Sequence, residues 1–367
     1  MYDQVSWQSR MFGLVGPRGV GKSTMILQFI KENKDTRHIF YVTADHLYFS
    51  SHTLVDLVDE FAKEGGEQIF IDEIHKYENW SRELKQIYDS HPDVKVGFTG
   101  SSVLDIYKGY ADLSRRAPIF MMQGLSFREY LMMFHQIEVS VYTLNEIIGQ
   151  KAKIANVNHP LPLFRDYLKR GYYPFAKDGD YELRLRQVVN QTMEVDIPLY
   201  ANMNASTGRK LKKLLTVIAQ SVPFKPVMDS IASVVGVSRN VLPDYFLYME
   251  QAGMIGQLRD DTGGIRGIGK VEKVYLDNTS LAYLLGDKAT DIGNIRETFF
   301  YNQMRVTTDV IISRTSDFEI DGKTFEVGGK KKGKKQIAQA ESGFVVKDDI
   351  EFGSGNILPL WAFGLTY

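Results

Sequence analysis

Near the start of the chain, Gly16, Pro17, Arg18, Gly19, Val20, Gly21, Lys22, Ser23 and Thr24 carry the pattern G-x-x-x-x-G-K-[ST]. Holding phosphate explains this composition. Gly19 and Gly21 let the backbone turn its N–H groups inward around an anion. A helix beginning near Lys22 aims its partial positive end at the same point. Lys22 has the reach for β- and γ-phosphates, and the Ser23 hydroxyl is a ligand type for Mg²⁺. A second chemical cluster is Asp72 and Glu73, adjacent carboxylates at the end of an apolar run. Behind a phosphate loop, the first such acid holds Mg²⁺ and the second polarises an attacking water.

These residues need a scaffold, and the surrounding pattern supplies one. MFGLV (11–15) reads as a strand, the glycine loop follows, and MILQFIKEN continues as a helix. HIFYVTAD (38–45) is a second strand and TLVDLVDEFAKEGG (53–66) an amphipathic helix ending on glycines. QIFIDEIHK (68–76) is a buried strand that delivers the acidic pair. WSRELKQIYDSHPD is another helix, and VKVGFTGSS (94–102) a further buried strand whose tip offers Thr99 or Ser101 to the γ-phosphate or the attacking water. Arg115 and Arg116 precede a last strand (118–122), where an arginine could stabilise charge on a transferring phosphoryl group, in cis or from a neighbour.

Together GPRGVGKST, FIDEIHK, FTGSS, LSRRA and QGLSFREYL make the first 135 or so residues resemble an AAA-type ATPase domain, of the family that carries a C-terminal DUF4143 region. The resemblance implies ATP as the nucleotide and an α/β domain with a parallel sheet ordered 5-1-4-3-2. That order sets the tip of VGFTGSS between the glycine loop and Asp72 and favours Ser101 over Thr99 as a sensor. It also implies Arg116 as the arginine finger, often supplied by another subunit, so a homo-oligomer is expected. His75 is a candidate link between nucleotide state and nearby loops.

Residues 136–206 read as a helical connector with no chemistry of their own. Over 207–288, RKLKKLLTVIAQSV, PVMDSIASVVGV and SRNVLPDYFLYMEQAGMI read as three helices, followed by a hairpin around DDTGGIRGIG (260–269). That order is a winged helix-turn-helix. Its third helix would open at Ser238, Arg239 and Asn240, residue types suited to DNA phosphates and groove edges; a protein contact is the other use of such a fold.

Over 289–367 the expected order is helix (IGNIRETFFYNQMR), three strands (DVIISRT, SDFEIDG, KTFEVGG), helix (KKQIAQAES) and a final strand (ILPLWAFG). This order resembles the restriction-endonuclease-like core. The resemblance assigns Glu297, Asp317 and Glu326 to Mg²⁺-binding positions, with a lysine two residues after the last acid. That position is Gly328. Lys330 is on the same strand face two residues further along, roughly 7 Å away, so a degenerate nuclease site is expected. KKKGKK (330–335) is a solvated run or a phosphate patch.

Bulk properties bound the rest. The chain has 367 residues, a net charge of −1, 44% apolar and 24% charged residues, as an ordinary globular protein has. Bulk coating of nucleic acid is disfavoured by that charge. Cysteine is absent, which excludes disulfides and thiolate metal sites and fits a cytoplasmic location. No apolar run approaches the roughly 20 residues of a membrane span. Almost nothing precedes the first strand, which leaves room for a further helix before it. The functional expectation is an ATP-hydrolysing protein whose cycle repositions the winged helix and nuclease-like region, with DNA as a candidate partner. The alternatives are an ATP-licensed Mg²⁺-dependent nuclease and a nucleotide-gated scaffold for a protein partner.

Overall fold

The structure, a computed structural model, describes residues 2–33, 36–100, 113–221, 226–260, 269–286, 291–333, 337 and 342–367. They fall into two compact units, Met1–Gly124 and Leu125–Tyr367.

In the first unit the apolar runs become strands β1 (Met11–Val15), β2 (Ile39–Thr43), β3 (Gln68–Asp72), β4 (Lys95–Gly100) and β5 (Ile119–Met121). All pair in parallel, in the order β2-β3-β4-β1-β5, which is the expected order read from the other edge. Every residue of β1 and β3 is buried, as central parallel strands covered on both faces must be. Helices α1 (Lys22–Glu32), α2 (Leu54–Lys63) and α3 (Trp80–Ser90) are the crossovers. A reciprocal Thr53–Asp56 capping box starts α2. Its Leu54 and Val58 join Trp80, Leu84 and Ile87 of α3 over Ile69, Ile71, Val96 and Phe98 of the sheet.

Parallel pairing has one consequence for chemistry. The carboxyl ends of β1, β4 and β3 are neighbours along one sheet edge. The loop after β1, Thr99 in β4 and Asp72 at the end of β3 therefore converge.

The second unit opens with α4 (Phe127–His135), capped by a Ser126–Glu129 box. Then come α5 (Leu144–Ile148), α6 (Leu161–Arg170) and α7 (Tyr181–Gln191). A π-turn over Thr192–Asp196 carries α7 into α8 (Ile197–Tyr200). Helices α9 (Ala205–Ser221), α10 (Met228–Val235) and α11 (Leu242–Gln251) lead to an antiparallel hairpin of β6 (Ile255–Arg259) and β7 (Val271–Leu276). After α12 (Thr279–Leu285) and α13 (Ile292–Met304) comes a second sheet of β8 (Ile311–Ile312), β9 (Phe318–Ile320), β10 (Lys323–Gly328), β11 (Gly343–Lys347) and β12 (Ile357–Pro359). Its order is β12-β11-β10-β9-β8, antiparallel through β8–β9–β10 and parallel through β10–β11–β12. Ser126 Oγ and Arg128 Nε both donate to the Tyr367 carbonyl, at 2.7 and 2.8 Å, tying the first helix of the unit to its last residue.

One expected element is corrected. ILPLWAFG is not a single strand: β12 stops at Pro359, and Leu360–Leu365 winds as a buried 3₁₀ helix. Proline contributes no N–H to a ladder, and a short apolar run fits a buried strand or a buried helix equally well. Most of the expected KKQIAQAES helix and of the 260–269 turn lies outside the described residues.

Candidate functional site: a phosphate loop and its acidic strand

The loop between β1 and α1 has the backbone its glycines foretell. Gly16, Gly19 and Gly21 all take positive φ, at 152°, 84° and 102°. At Gly16 there is a second reason: a Cβ would lie 2.1 Å from the Met122 carbonyl oxygen. Only glycine lets the loop leave β1 that close to the chain following β5. Lys22 is the first residue of α1 and only 5% exposed. Its Nζ donates to the carbonyls of Gly16 and Pro17, both at 2.9 Å. A buried ammonium is thus curled into the loop, where phosphate oxygens are the stronger acceptors.

The acid strand meets this loop. Asp72 is 6% exposed and both its oxygens are engaged. Oδ2 accepts from the Tyr41 hydroxyl at 2.6 Å, and Oδ1 accepts from the Thr99 hydroxyl. Thr99 Oγ1 in turn accepts the Glu73 backbone N–H at 3.0 Å. Burial pushes the Tyr41 hydroxyl pKa up and the Asp72 carboxylate adds to this, while Ser23 acts in the opposite sense. Tyr41, Ser23 and Asp72 therefore share one small polar site. Glu73 sits in the left-handed region at φ 52°, uncommon for a non-glycine residue and a form of strain that concentrates at functional sites. Its carboxylate is 3.3 Å from His75 Nε2.

Residues 8–131 match the AAA domain family. Residues 161–291 match a second family, a domain of unknown function (DUF8612). It is this family, and not the expected DUF4143 region, that is found there. No curated protein matches the chain. Among solved structures, the chain is similar to a Walker-type ATPase of Pyrococcus abyssi, at 13% identity over 76% of this chain and 91% of that one, with a TM-score of 0.47. It is also similar to the Thermotoga maritima RuvB Holliday junction branch migration motor, at 16% identity over 67% of this chain and 81% of that one, with a TM-score of 0.29.

Within the AAA domain, the structure brings Lys22, Ser23, Asp72 and Glu73 to one edge. Ser101 lies outside the described residues; Thr99, the other candidate on that strand, is the one seen bonded to the acids. Tyr41 is an unforeseen member. Arg116 is elsewhere. It precedes β5 by three residues, and β5 runs parallel to β1 with Gly13 opposite Ile119. Arg116 thus lies level with the start of β1, whereas the phosphate loop follows its end. Its guanidinium pairs with Asp89 at 3.1 and 3.0 Å. The in-cis form of the finger expectation does not match this placement. Ser23 and Asp72 offer the hard oxygen donors that Mg²⁺ takes, and Mg²⁺ draws most remaining ligands from phosphate and water. No helix among the described residues is long and apolar enough to cross a membrane.

In the second unit, Glu297, Asp317 and Glu326 come together around two lysines. Lys273 Nζ, from β7, lies 3.3 Å from both Glu297 Oε2 and Asp317 Oδ1. The Tyr275 hydroxyl donates to Glu297 Oε2 at 2.8 Å, and Asp317 Oδ2 accepts the Val327 N–H at 3.0 Å. Burial raises the Glu297 pKa and the Asp317 charge adds to it, with Lys273 and Tyr275 opposing. Glu326 is fully buried, accepts from the Ser316 hydroxyl and is ion-paired with Lys332.

The lysine that reaches Glu326 is Lys332 and not the expected Lys330. The Lys330 carbonyl accepts from Lys347 Nζ at 3.0 Å. A Cβ on Gly328 would lie 2.6 Å from Lys332 Cγ, so the Lys332 stem crosses the space above that glycine. Burial pulls the Lys332 pKa down, but the Glu326 carboxylate more than offsets this and the net shift is upward. Among the described residues, no group of three or more acids or histidines is placed to hold a metal ion.

Arg239, a candidate DNA contact, pairs with Asp229 at 3.1 Å, and both side chains are exposed. Ser238 caps a single 3₁₀ turn through the Asn240 N–H at 3.4 Å, ahead of α11.

Proposed function

We propose that this protein is a Mg²⁺-dependent ATPase whose turnover is carried out by Lys22, Ser23, Asp72, Glu73 and Thr99. The observation that carries the reading is the shared bonding of Thr99 to Asp72 and to the Glu73 N–H, beside a loop that buries a lysine ammonium. Lys22 exchanges the Gly16 and Pro17 carbonyls for phosphate oxygens. Ser23 and Asp72 hold Mg²⁺, which neutralises phosphate charge when bound. Glu73 orients and deprotonates the attacking water. Arg116, far from its own loop, acts on the loop of a neighbouring copy in a homo-oligomer, after release from Asp89.

The nucleotide cycle repositions the second unit on a partner. Its three helices and hairpin over 207–288 form a winged helix, with Ser238, Arg239 and Asn240 as the DNA-facing turn. Residues 136–206 form the connector, and 289–367 the nuclease-like region. The measurement is the ATPase rate of the full chain with and without duplex DNA. Stimulation supports a DNA partner; indifference, with Lys22→Ala inactive, keeps the ATPase and points to a protein partner. ATP bound by Lys22→Ala as tightly as by the parent would remove the phosphate-loop assignment.

A second reading, an ATP-licensed nuclease, is favoured by one observation: Lys332 brings an ammonium to Glu326 across the position where a lysine was expected. Against it, Lys273 already bridges Glu297 and Asp317, so the residues as placed do not fit a divalent cation. Plasmid nicking with Mg²⁺ or Mn²⁺, lost in Asp317→Ala, would establish the nuclease; equal nicking by both proteins would dismiss it.

A further inference from the structure

Tyr41 is half-buried in β2, an edge strand, and its register explains where its hydroxyl goes. In the parallel pairing of β2 with β3, Tyr41 lies opposite Phe70 and Thr43 opposite Asp72. Side chains alternate along a strand, so Tyr41, Phe70 and Asp72 share one face of the sheet. Phe70 packs on Phe29 of α1, with ring centroids 5.7 Å apart, so this is the face that α1 covers. The same helix carries Ser23 in its first turn. A tyrosine at this position of β2 therefore has both the end of β3 and the start of α1 within its reach.

Its hydroxyl meets residues of both elements. It donates to Asp72 Oδ2 at 2.6 Å. Ser23 hydrogen-bonds the same oxygen in the sense that opposes the rise in the Tyr41 pKa, which makes Ser23 the donor. A hydroxyl has one proton to give and lone pairs to accept with, so the bonds run from Ser23 to Tyr41 to Asp72. Ser23 gives its proton to Tyr41 and keeps lone pairs for a cation. Asp72 is held at both oxygens, by Tyr41 at Oδ2 and by Thr99 at Oδ1. Phenylalanine would give β2 the same ring and a similar strand preference. Only the hydroxyl links two side chains of the hard-oxygen kind that Mg²⁺ takes.

We propose that Tyr41 is a positioning residue for Mg²⁺, orienting Ser23 and Asp72 together through its hydroxyl. The inference rests on the ATPase reading above and adds to that site a residue from outside the phosphate loop and the acidic strand. Tyr41 is not itself a ligand, because its proton faces Asp72; it acts through the two residues it joins.

The experiment is titration of Mn²⁺ onto the full chain with a non-hydrolysable ATP analogue bound, free Mn²⁺ being read by electron paramagnetic resonance. Nothing turns over, so the readout is separate from activity. The parent with its analogue should hold Mn²⁺ more tightly than the free analogue does. Tyr41→Phe should weaken Mn²⁺ binding about tenfold or more, the loss typical when the partner of a metal ligand is removed. Its affinity for the analogue in EDTA should stay parental, because the loop around Lys22 is untouched. A cycle with Ser23→Ala tests the route. Adding Tyr41→Phe to Ser23→Ala should cost less Mn²⁺ affinity than adding it to the parent, since one of the two residues it orients has lost its hydroxyl. Parental Mn²⁺ affinity in Tyr41→Phe would overturn the proposal and leave the ATPase reading standing. So would an equal cost on both backgrounds, or a metal-free analogue affinity that falls as far as the Mn²⁺ affinity. A parent that binds the analogue no better than Lys22→Ala does would overturn the ATPase reading, and this inference with it.

Discussion

The Thr99 hydroxyl donates a hydrogen bond to the Asp72 carboxylate across the boundary between β4 and β3. Because the same oxygen accepts the Glu73 N–H, one buried side chain positions both acids. Thr99→Val keeps the shape and removes the hydroxyl. ATP turnover should fall about 10–100-fold, as when a group that orients a ligand residue is lost. Stability should drop by about 1–3 kcal/mol, because a buried N–H is left without its acceptor. Thr99→Ser should recover most of the rate. Steady-state ATPase assays on the three proteins decide it, and a parental rate in Thr99→Val would place the positioning elsewhere.

Glu73 reaches its place through a left-handed backbone, with its carboxylate beside His75. Glu73→Gln keeps size and hydrogen bonding but removes the base. The expected outcome is unchanged ATP affinity with kcat lowered by about 10²–10⁴, the usual contribution of a general base. Equilibrium binding and single-turnover hydrolysis separate the two quantities. Loss of affinity with kcat intact would make Glu73 a binding group instead.

Arg116 lies at the opposite end of β1 from the loop and pairs with Asp89. If it serves a neighbouring copy, Arg116→Ala and Glu73→Gln are each inactive alone but complement on mixing. Mixed assemblies contain sites with a parental loop from one copy and a parental arginine from the other. ATPase activity should rise to a fraction of the parental rate as the two are combined. A flat mixing curve from two variants that still assemble would count against action in trans.

The pattern of the chain made the AAA sheet legible because each signal there is local. The glycine loop, the apolar runs and the acidic pair are read within a few residues of one another, and parallel strands must be apolar throughout. Tyr41 is harder to see. Tyr41 is a tyrosine in an edge strand, and only the pairing of β2 with β3 brings it to Asp72. Lys273 is a similar case, since its link to Glu297 and Asp317 joins a hairpin strand to residues 24 and 44 positions away. Lys332 escaped for another reason. Strand alternation gives the face of a residue within a strand, but β10 ends at Gly328, and beyond it the chain turns Lys332 back.

Glu297 carries a pH signature. Burial and the Asp317 charge hold its pKa above the ordinary glutamate value. Over the window between those two values the native chain keeps a proton that the unfolded chain has released. Stability therefore falls as pH rises through that window. Glu297→Gln does not titrate, so its melting temperature should show a shallower decline there than the parent's. Melting curves at closely spaced pH values from about 4 upward test this, and parallel profiles for the two proteins would show that Glu297 is not the titrating group.

Lys332 and Gly328 make a linked pair. Removing the ammonium in Lys332→Met leaves the fully buried Glu326 carboxyl with the Ser316 hydroxyl as its side-chain partner among the described residues. Losing one partner of a buried ion pair costs about 3–5 kcal/mol, and the 35% exposure of the Lys332 side chain places the expected loss near the lower end, at about 3 kcal/mol. Gly328→Ala inserts a methyl where the Lys332 stem runs, so it should push the stem aside and destabilise by a smaller amount. The decisive variant combines Gly328→Lys with Lys332→Ala, which moves the ammonium onto the strand beneath its present position. Denaturant unfolding should show this double variant recovering stability relative to Lys332→Ala alone. Additive loss would mean that the position above Gly328 cannot deliver a lysine to Glu326, and that Lys332 holds the carboxylate by a route no residue of β10 can copy.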